Sequence, residues 1–384
     1  MEGKDVRRLL TEIFYSVLNE IEDGSEIASK LTPEALTAVC RLAKKHDLLH
    51  VVAGFVSNCG IEAEPKLQSA LHRELMTSVY RCEQMKHTLE EICNAFEEAR
   101  IPYIPLKGSV LRGYYPYESL RTSCDIDVLI HPEDLQSAVD CLTAKGYRYE
   151  KELFHDVSLY SPGGIHLELH FNVKEGVDSL DAVLGEAWNY ATLTRGYRYD
   201  FRDSFFLFHM YAHMVHHFLS GGCGMRSLMD IWVTEHKMGI SYGCAEELLK
   251  RGGIYVFAAE MSGIANQCFT ENRIDELGEL ALKYICAGGV YGSSQNAVAV
   301  KKSKNSSSVV YVFRRMFMPY HSMVYSYPVL KKAPILLPFC WVARWFKAIF
   351  GGKSKKISSE ISCVNNMSEE KIVEVKGLCD RLGL

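Results

Sequence analysis

Asp125 and Asp127 flank a single apolar residue, and Val128-Leu129-Ile130 continues the run. Such a β-branched stretch predicts a strand, in which side chains alternate with period two, so both carboxylates share one face. Neighbouring carboxylates repel each other unless a cation lies between them. A hard divalent ion, Mg²⁺ or Mn²⁺ in its place, takes oxygen ligands and leaves positions open for phosphate oxygens. The segment His166-Leu167-Glu168-Leu169-His170-Phe171 alternates polar and apolar residues. It predicts a half-buried strand with His166, Glu168 and His170 on one face. Paired beside the Asp-x-Asp strand, it would bring Glu168 to Asp125 and Asp127. Three carboxylates can hold two metal ions about 3.5–4 Å apart, the clamp of in-line phosphoryl displacement. Asp125, Asp127 and Glu168 are therefore the candidate catalytic and metal-binding residues.

Other groups suit an anionic ligand. Gly108-Ser109 follows the apolar run 101–106, itself a short predicted strand. A Gly-Ser turn there offers open backbone N–H groups and a hydroxyl to a phosphate. Lys107 is either a flexible point charge for that phosphate or an exposed lysine at a strand end. Arg121, four residues before Asp125, could fork onto a phosphate, orient a carboxylate, or form a structural salt bridge to the aspartates. His209, His213 and His217 are spaced by four and fall on one helical face. Three readings stand for them: a transition-metal site, a lining in which His213 and His217 meet the ligand as phosphate donors or as a base, or a polar stripe of satisfied core histidines. No acidic or thiol residue lies among them at ligand spacing. Arg226 and Asp230, also four apart, could pair on one helix face for about 0.2–0.5 kcal/mol.

These residues need elements to hold them. Residues 1–100 read as helices, one opened by Thr32-Pro33-Glu34-Ala35 with proline in its first turn. A long amphipathic helix over Leu71–Arg100 (Leu75, Val79, Met85, Leu89, Ile92, Phe96) leads into the first core strand. Residues 101–200 read as an α/β core. It has a helix from Pro132 to Leu142 ended by Gly146, strands at 147–149 and 157–160, and a Pro162-Gly163-Gly164 turn before the Glu168 strand. Residues 201–265 return to helix, and 266–384 form a basic, partly amphipathic C-terminal region. The expected class is α+β: a small mixed sheet embedded in largely helical flanking regions.

Composition narrows the function classes. With 48% hydrophobic and 23% charged residues, the chain reads as an ordinary globular protein. Its thirteen cysteines include no Cys-x-x-Cys pair, and the start carries no signal-peptide pattern. A reducing cytoplasm with free thiols is the expectation, rather than a disulfide or zinc framework. The net charge of −4 conceals an asymmetry. Residues 301–356 hold twelve Lys/Arg and no Asp or Glu, so the remainder carries −16. That split points to an anionic partner, a membrane surface or another polyanion, and to a place at the inner membrane face. The run 335–350 is too short and too charged to span a bilayer. It suits either an interfacial helix or a helix packed on the body with its basic side chains reaching solvent. Ser303–Ser308 reads as a surface loop, 351–356 as a basic hinge, and 368–381 as a terminal helix.

The order Gly-Ser, Asp-x-Asp on a strand, then a later acidic strand resembles the DNA polymerase β-like nucleotidyltransferases. The fuller wording Leu-Lys-Gly-Ser, Tyr-Tyr-Pro, Leu-Arg, Asp-Ile-Asp-Val-Leu-Ile and Leu-Glu-Leu-His is similar to the bacterial nucleotidyltransferase-5 group. Fifteen residues separate Ser109 from Asp125, longer than that pattern's usual insert, and Glu168 stands where Asp is commoner. The resemblance implies Mg²⁺-dependent transfer of a nucleoside monophosphate from an NTP, ATP among the candidates, to a hydroxyl. It also implies a helix packed over the nucleotide, which would bring in Arg226 and Asp230. The core is not notably basic, which disfavours a nucleic-acid acceptor and favours a small-molecule, sugar or lipid-linked one. A nucleotide-binding module without turnover, or a toxin acting on tRNA or protein, are the alternatives.

Overall fold

The computed structural model describes residues 3–290, 292–303, 316–318, 320, 323, 324, 327, 329–350 and 368–384. The N-terminal part is helical: α1 (Gly3–Leu18), α2 (Ser25–Lys30), α3 (Pro33–Lys45), α4 (Leu49–Asn58) and α5 (Pro65–Ala99). Thr32 caps α3 through its side chain, with Pro33 in the first turn. Helix α5 runs 35 residues and ends where Arg100 turns left-handed at φ 58°. Strand β1 (Tyr103–Pro105) follows, then a short helix α6 (Lys107–Leu111) and β2 (Asp125–Ile130). The helix expected from Pro132 begins as a 3₁₀ turn, and the α-helix proper, α7, is Leu135–Ala144. Strands β3 (Arg148–Glu152), β4 (Asp156–Tyr160) and β5 (His166–His170) complete one half of the sheet.

After α8 (Asp178–Leu184), a hairpin of β6 (Ala191–Arg195) and β7 (Arg198–Phe201) joins the same sheet. The sequence reading did not name these two strands, because their mostly polar, part-exposed residues show little alternation. Gly196 makes the turn at φ +54°, and the Glu97 carboxylate accepts the next N–H, from Tyr197, at 3.0 Å. Among the described residues the remaining α-helices are α9 (Asp203–Leu219), α10 (Met225–His236), α11 (Glu246–Arg251), α12 (Tyr255–Phe269), α13 (Glu276–Gly288), α14 (Ser294–Ser303), α15 (Val329–Lys332), α16 (Leu337–Phe350) and α17 (Glu369–Arg381). Ser303 closes α14 rather than opening a loop. Residues 304–315 and the expected hinge at 351–356 lie outside the described residues.

The sheet has seven strands in the order β3-β4-β5-β2-β1-β7-β6, with β2/β5 and β1/β7 parallel and the other pairs antiparallel. The fold is α+β. One face buries Ile126, Val128, Ile130, Leu167 and Leu169 against Met85, Ile92 and Phe96 of α5 and Ala138 and Leu142 of α7. Alternation along β2 and β5 then turns Asp125, Asp127 and Glu168 to the opposite face. A larger core joins α1, α3, α4 and α9–α13, and α17 packs onto it through Val375, Leu378 and Leu382. The twelve cysteines among the described residues are free thiols. Among the described residues no helix is long and apolar enough to cross a membrane.

Candidate active site

The parallel register of β2 and β5 sets Asp125 opposite His166 and Asp127 opposite Glu168. Ligand atoms of Asp125, His166 and Glu168 lie within 4.8 Å of one another, and so do those of Asp127, Glu168 and His170. His170 Nε2 bonds Asp127 Oδ1 at 3.0 Å and stands 3.7 Å from Glu168 Oε2. His166 Nε2 is held by Ser158 Oγ at 2.7 Å. A carboxylate fixed by a histidine in this way is a pre-oriented ligand for a cation.

The electrostatics bear on a cation. Burial and then the charges of Asp127 and Asp125 push the Glu168 carboxyl up to about 7. Burial and Asp127 likewise raise Asp125. Burial also opposes ionisation of Asp127, but the His170 hydrogen bond and the charges of His170 and Lys107 outweigh it and hold Asp127 well below the usual range. Asp125 and Glu168, raised by burial and by the neighbouring carboxylate charges, make with the ionised Asp127 a donor set that a divalent ion would stabilise. The residues present fit such an ion.

A cavity of about 660 Å³ opens over this face. The Leu106 N–H donates to Asp127 O at 3.0 Å, which sets α6 beside the carboxylates and points Lys107 and Gly108 into the cavity. Burial, partly countered by Asp127 and Glu175, lowers the Lys107 ammonium below its ordinary value. Ser109 lies in the same short helix, donates its N–H to Leu106 O, and is not among the cavity-lining residues.

Arg121 and Asp230 both line the cavity, yet they hold each other. Arg121 Nε donates to Asp230 Oδ1 at 3.0 Å and Nη2 to Oδ2 at 2.9 Å. Tyr115 Oη donates to the same carboxylate at 2.6 Å. The Arg226–Asp230 pair expected from spacing is replaced by two longer-range pairs. Arg226 reaches Asp47 Oδ2 at 2.9 Å, because α10 packs over the segment before β2 and presents its two charges to different partners.

Of the α9 stripe, His209, His213 and His217 all line the cavity, and among the described residues the groups able to share an ion do not include them. His213 Nδ1 bonds Glu175 Oε1 at 2.7 Å, and His213 Nε2 lies 2.9 Å from His217 Nε2. Burial, with the Lys107 charge, holds His213 below its ordinary value despite Glu175. Burial and His213 push His217 down to about 3, and burial and Lys107 push His209 to about 3. All three imidazoles are neutral near pH 7.

The sequence reading missed Glu175. It sits on an aperiodic loop after β5, where Asp181 accepts the N–H groups of Glu175 at 2.7 Å and Gly176 at 3.1 Å. Its only sequence signal is the Glu-Gly pair in a polar turn. Asp47 and His155 were also missed, and His155 stacks on His170 with ring centroids 5.4 Å apart.

Comparison with curated proteins and with solved structures gives no significant match. Comparison with protein families gives one that spans most of the site: the family described as uncharacterised nucleotidyltransferase matches over residues 32–270, which include Lys107, Asp125, Asp127, Glu168, Glu175 and the α9 and α10 walls. On that match, the chain belongs to the uncharacterised nucleotidyltransferase family.

Proposed function

We propose that the protein transfers a nucleoside monophosphate from an NTP to a hydroxyl acceptor, releasing pyrophosphate, with Mg²⁺ or Mn²⁺ as cofactor. The observation that carries this reading is the register of Asp127 against Glu168 beside Asp125, under a cavity that also contains Lys107. Asp125, Asp127 and Glu168 would hold the metal. When bound, it neutralises phosphate charge and makes the acceptor hydroxyl more acidic.

The chain's own groups do the remainder. His170 keeps Asp127 ionised and oriented. Lys107 meets a phosphate oxygen as a point charge, and Gly108, without a side chain, lets the backbone approach. The acceptor oxygen forms its bond to the α-phosphorus, the bond to the bridging oxygen of the β-phosphate breaks, and pyrophosphate takes that electron pair. The acceptor proton passes to Glu168 or to the neutral imidazole of His213, whose tautomer Glu175 sets. Arg121 and Asp230 act as a strut for the wall, and Arg226 draws α10 toward Asp47. The small-molecule, sugar or lipid-linked acceptor class is favoured because six carboxylates line the cavity beside four Lys/Arg residues, of which Arg121 and Arg226 are already paired with Asp230 and Asp47.

Calorimetry with ATP, GTP, CTP and UTP, each with and without Mg²⁺, tests the proposal. Metal-dependent binding of a nucleotide, lost in Asp125→Asn/Asp127→Asn, is expected. Equal binding by wild-type and variant, or none by either, would overturn it.

A further inference from the structure

Helix α16 is apolar on nearly every side, since Arg344 and Lys347 are its only charged residues. Its inner side is already satisfied. Cys340 is buried, and Leu337 and Trp341 pack on Met323, Val324 and Leu330. Trp341 Nε1 donates to Met318 O at 2.8 Å, Trp345 Nε1 donates to Met316 O at 3.0 Å, and Phe317 meets both indoles edge-on. On the other side, among the described residues, apolar side chains are exposed. Ile335, Phe339 and Val342 are 84%, 72% and 42% exposed. Ile335 lies in the 3₁₀ turn Pro334–Leu336 that leads into α16, and Phe339 and Val342, three apart, stand on one side of the helix itself.

An apolar patch of this size along a helix that already has a packed inner side needs a second apolar phase. Charge says which one. The surrounding segment 301–356 carries twelve basic residues and no acidic one, and Lys332, just before the helix, is exposed. A second copy of the chain would bring a second segment of the same positive charge, which repels the first. A nucleic acid would satisfy the lysines but would leave the aliphatic Ile335 and Val342 without a partner, because stacking uses aromatic faces. An anionic bilayer satisfies both, with acyl chains for the patch and lipid phosphates for the basic groups.

We propose that α16 and the 3₁₀ turn before it lie on an anionic lipid surface, the helix parallel to the membrane plane, with Ile335, Phe339 and Val342 at the boundary of headgroups and acyl chains. The helix does not span the bilayer, in line with its fourteen residues. The attachment is independent of nucleotide and of the carboxylate site.

The test is flotation of the full chain with vesicles of equimolar phosphatidylglycerol and phosphatidylcholine, and with phosphatidylcholine alone. We expect at least about tenfold stronger partitioning onto the anionic vesicles, weakened by salt. Ile335→Glu/Phe339→Glu should reduce it by about tenfold or more at an unchanged melting temperature, since both side chains are exposed. Phe339→Trp gives a second readout, an emission shifted to the blue on vesicles and quenched by brominated acyl chains. No partitioning, partitioning indifferent to the Glu substitutions, or an unquenched Phe339→Trp would overturn the proposal. So would a dimer, or retention on RNA, abolished by those substitutions in a chain that ignores vesicles.

Discussion

Arg121 and Asp230 lie 109 residues apart, and they meet in a two-pronged pair of 3.0 and 2.9 Å that fastens α10 to the segment leading into β2. Both side chains are almost fully buried, and Tyr115 completes the carboxylate's hydrogen bonding. The wall of the cavity therefore depends on a charge pair whose members are costly apart. Arg121→Ala or Asp230→Ala should each destabilise the protein by about 3–5 kcal/mol, because each leaves a buried charge unpaired. The double replacement Arg121→Met/Asp230→Leu should be less destabilised than either. Denaturant unfolding of the four proteins checks this, and additive losses would refute the pairing argument.

The carboxylate trio should be sensitive to single changes. Asp127→Asn removes the charge that His170 orients, and should lower nucleotidyl transfer by at least about a hundredfold. Asp125→Asn and Glu168→Gln should do so too. Pyrophosphate release, followed once a donor nucleotide is known, is the measurement. A variant near wild-type activity would remove that residue from the chemistry.

The contribution of Glu168 to stability should depend on pH. Folded Glu168 keeps its proton up to about 7, whereas the unfolded carboxyl loses it near 4.5. Between those values Glu168 binds more protons in the folded state, so its own contribution falls as the pH rises, against the opposite contribution of the lowered His209, His213 and His217. Asp125, also raised, acts in the same direction as Glu168. Glu168 thus contributes stability below pH 4.5 that is lost as pH rises through about 7. Mg²⁺ binds the ionised trio, so its stabilising effect should grow over the same window. Melting temperatures with Mg²⁺ and with a chelator, taken from pH 5 to pH 8 at about one-unit steps, would show the two curves diverging. Parallel curves would count against a metal at these carboxylates.

Glu175 lines the cavity and holds His213 Nδ1 at 2.7 Å. Glu175→Gln keeps the shape but changes what His213 Nδ1 bonds to, so the imidazole can adopt the wrong tautomer. Turnover should fall about 10- to 100-fold with KM for the nucleotide little changed, and the pH–rate profile should shift. A purely structural Glu175 would instead lower the melting temperature without moving that profile.

Much of this site was visible in one dimension. Alternation in Asp125-Ile126-Asp127 and in His166–His170 told which side chains share a face, and the spacing of four in His209, His213 and His217 did the same for α9. Both readings rest on local backbone geometry, which a short window of residues determines by itself. The β6–β7 hairpin escaped because its strands are largely polar and part-exposed, so they show little alternation to read. Partnership was decided by tertiary structure. Spacing paired Arg226 with Asp230, but the packing of α10 over the segment before β2 gave Asp230 to Arg121 and Arg226 to Asp47. Glu175 found His213 because Asp181 closes its loop beneath α9, a contact across 38 residues that no periodicity encodes. A sequence specifies the face on which a group stands, through a repeat of two or 3.6 residues. The group it meets there depends on how distant elements are stacked, and that is settled by the burial of the two cores on either side of the sheet.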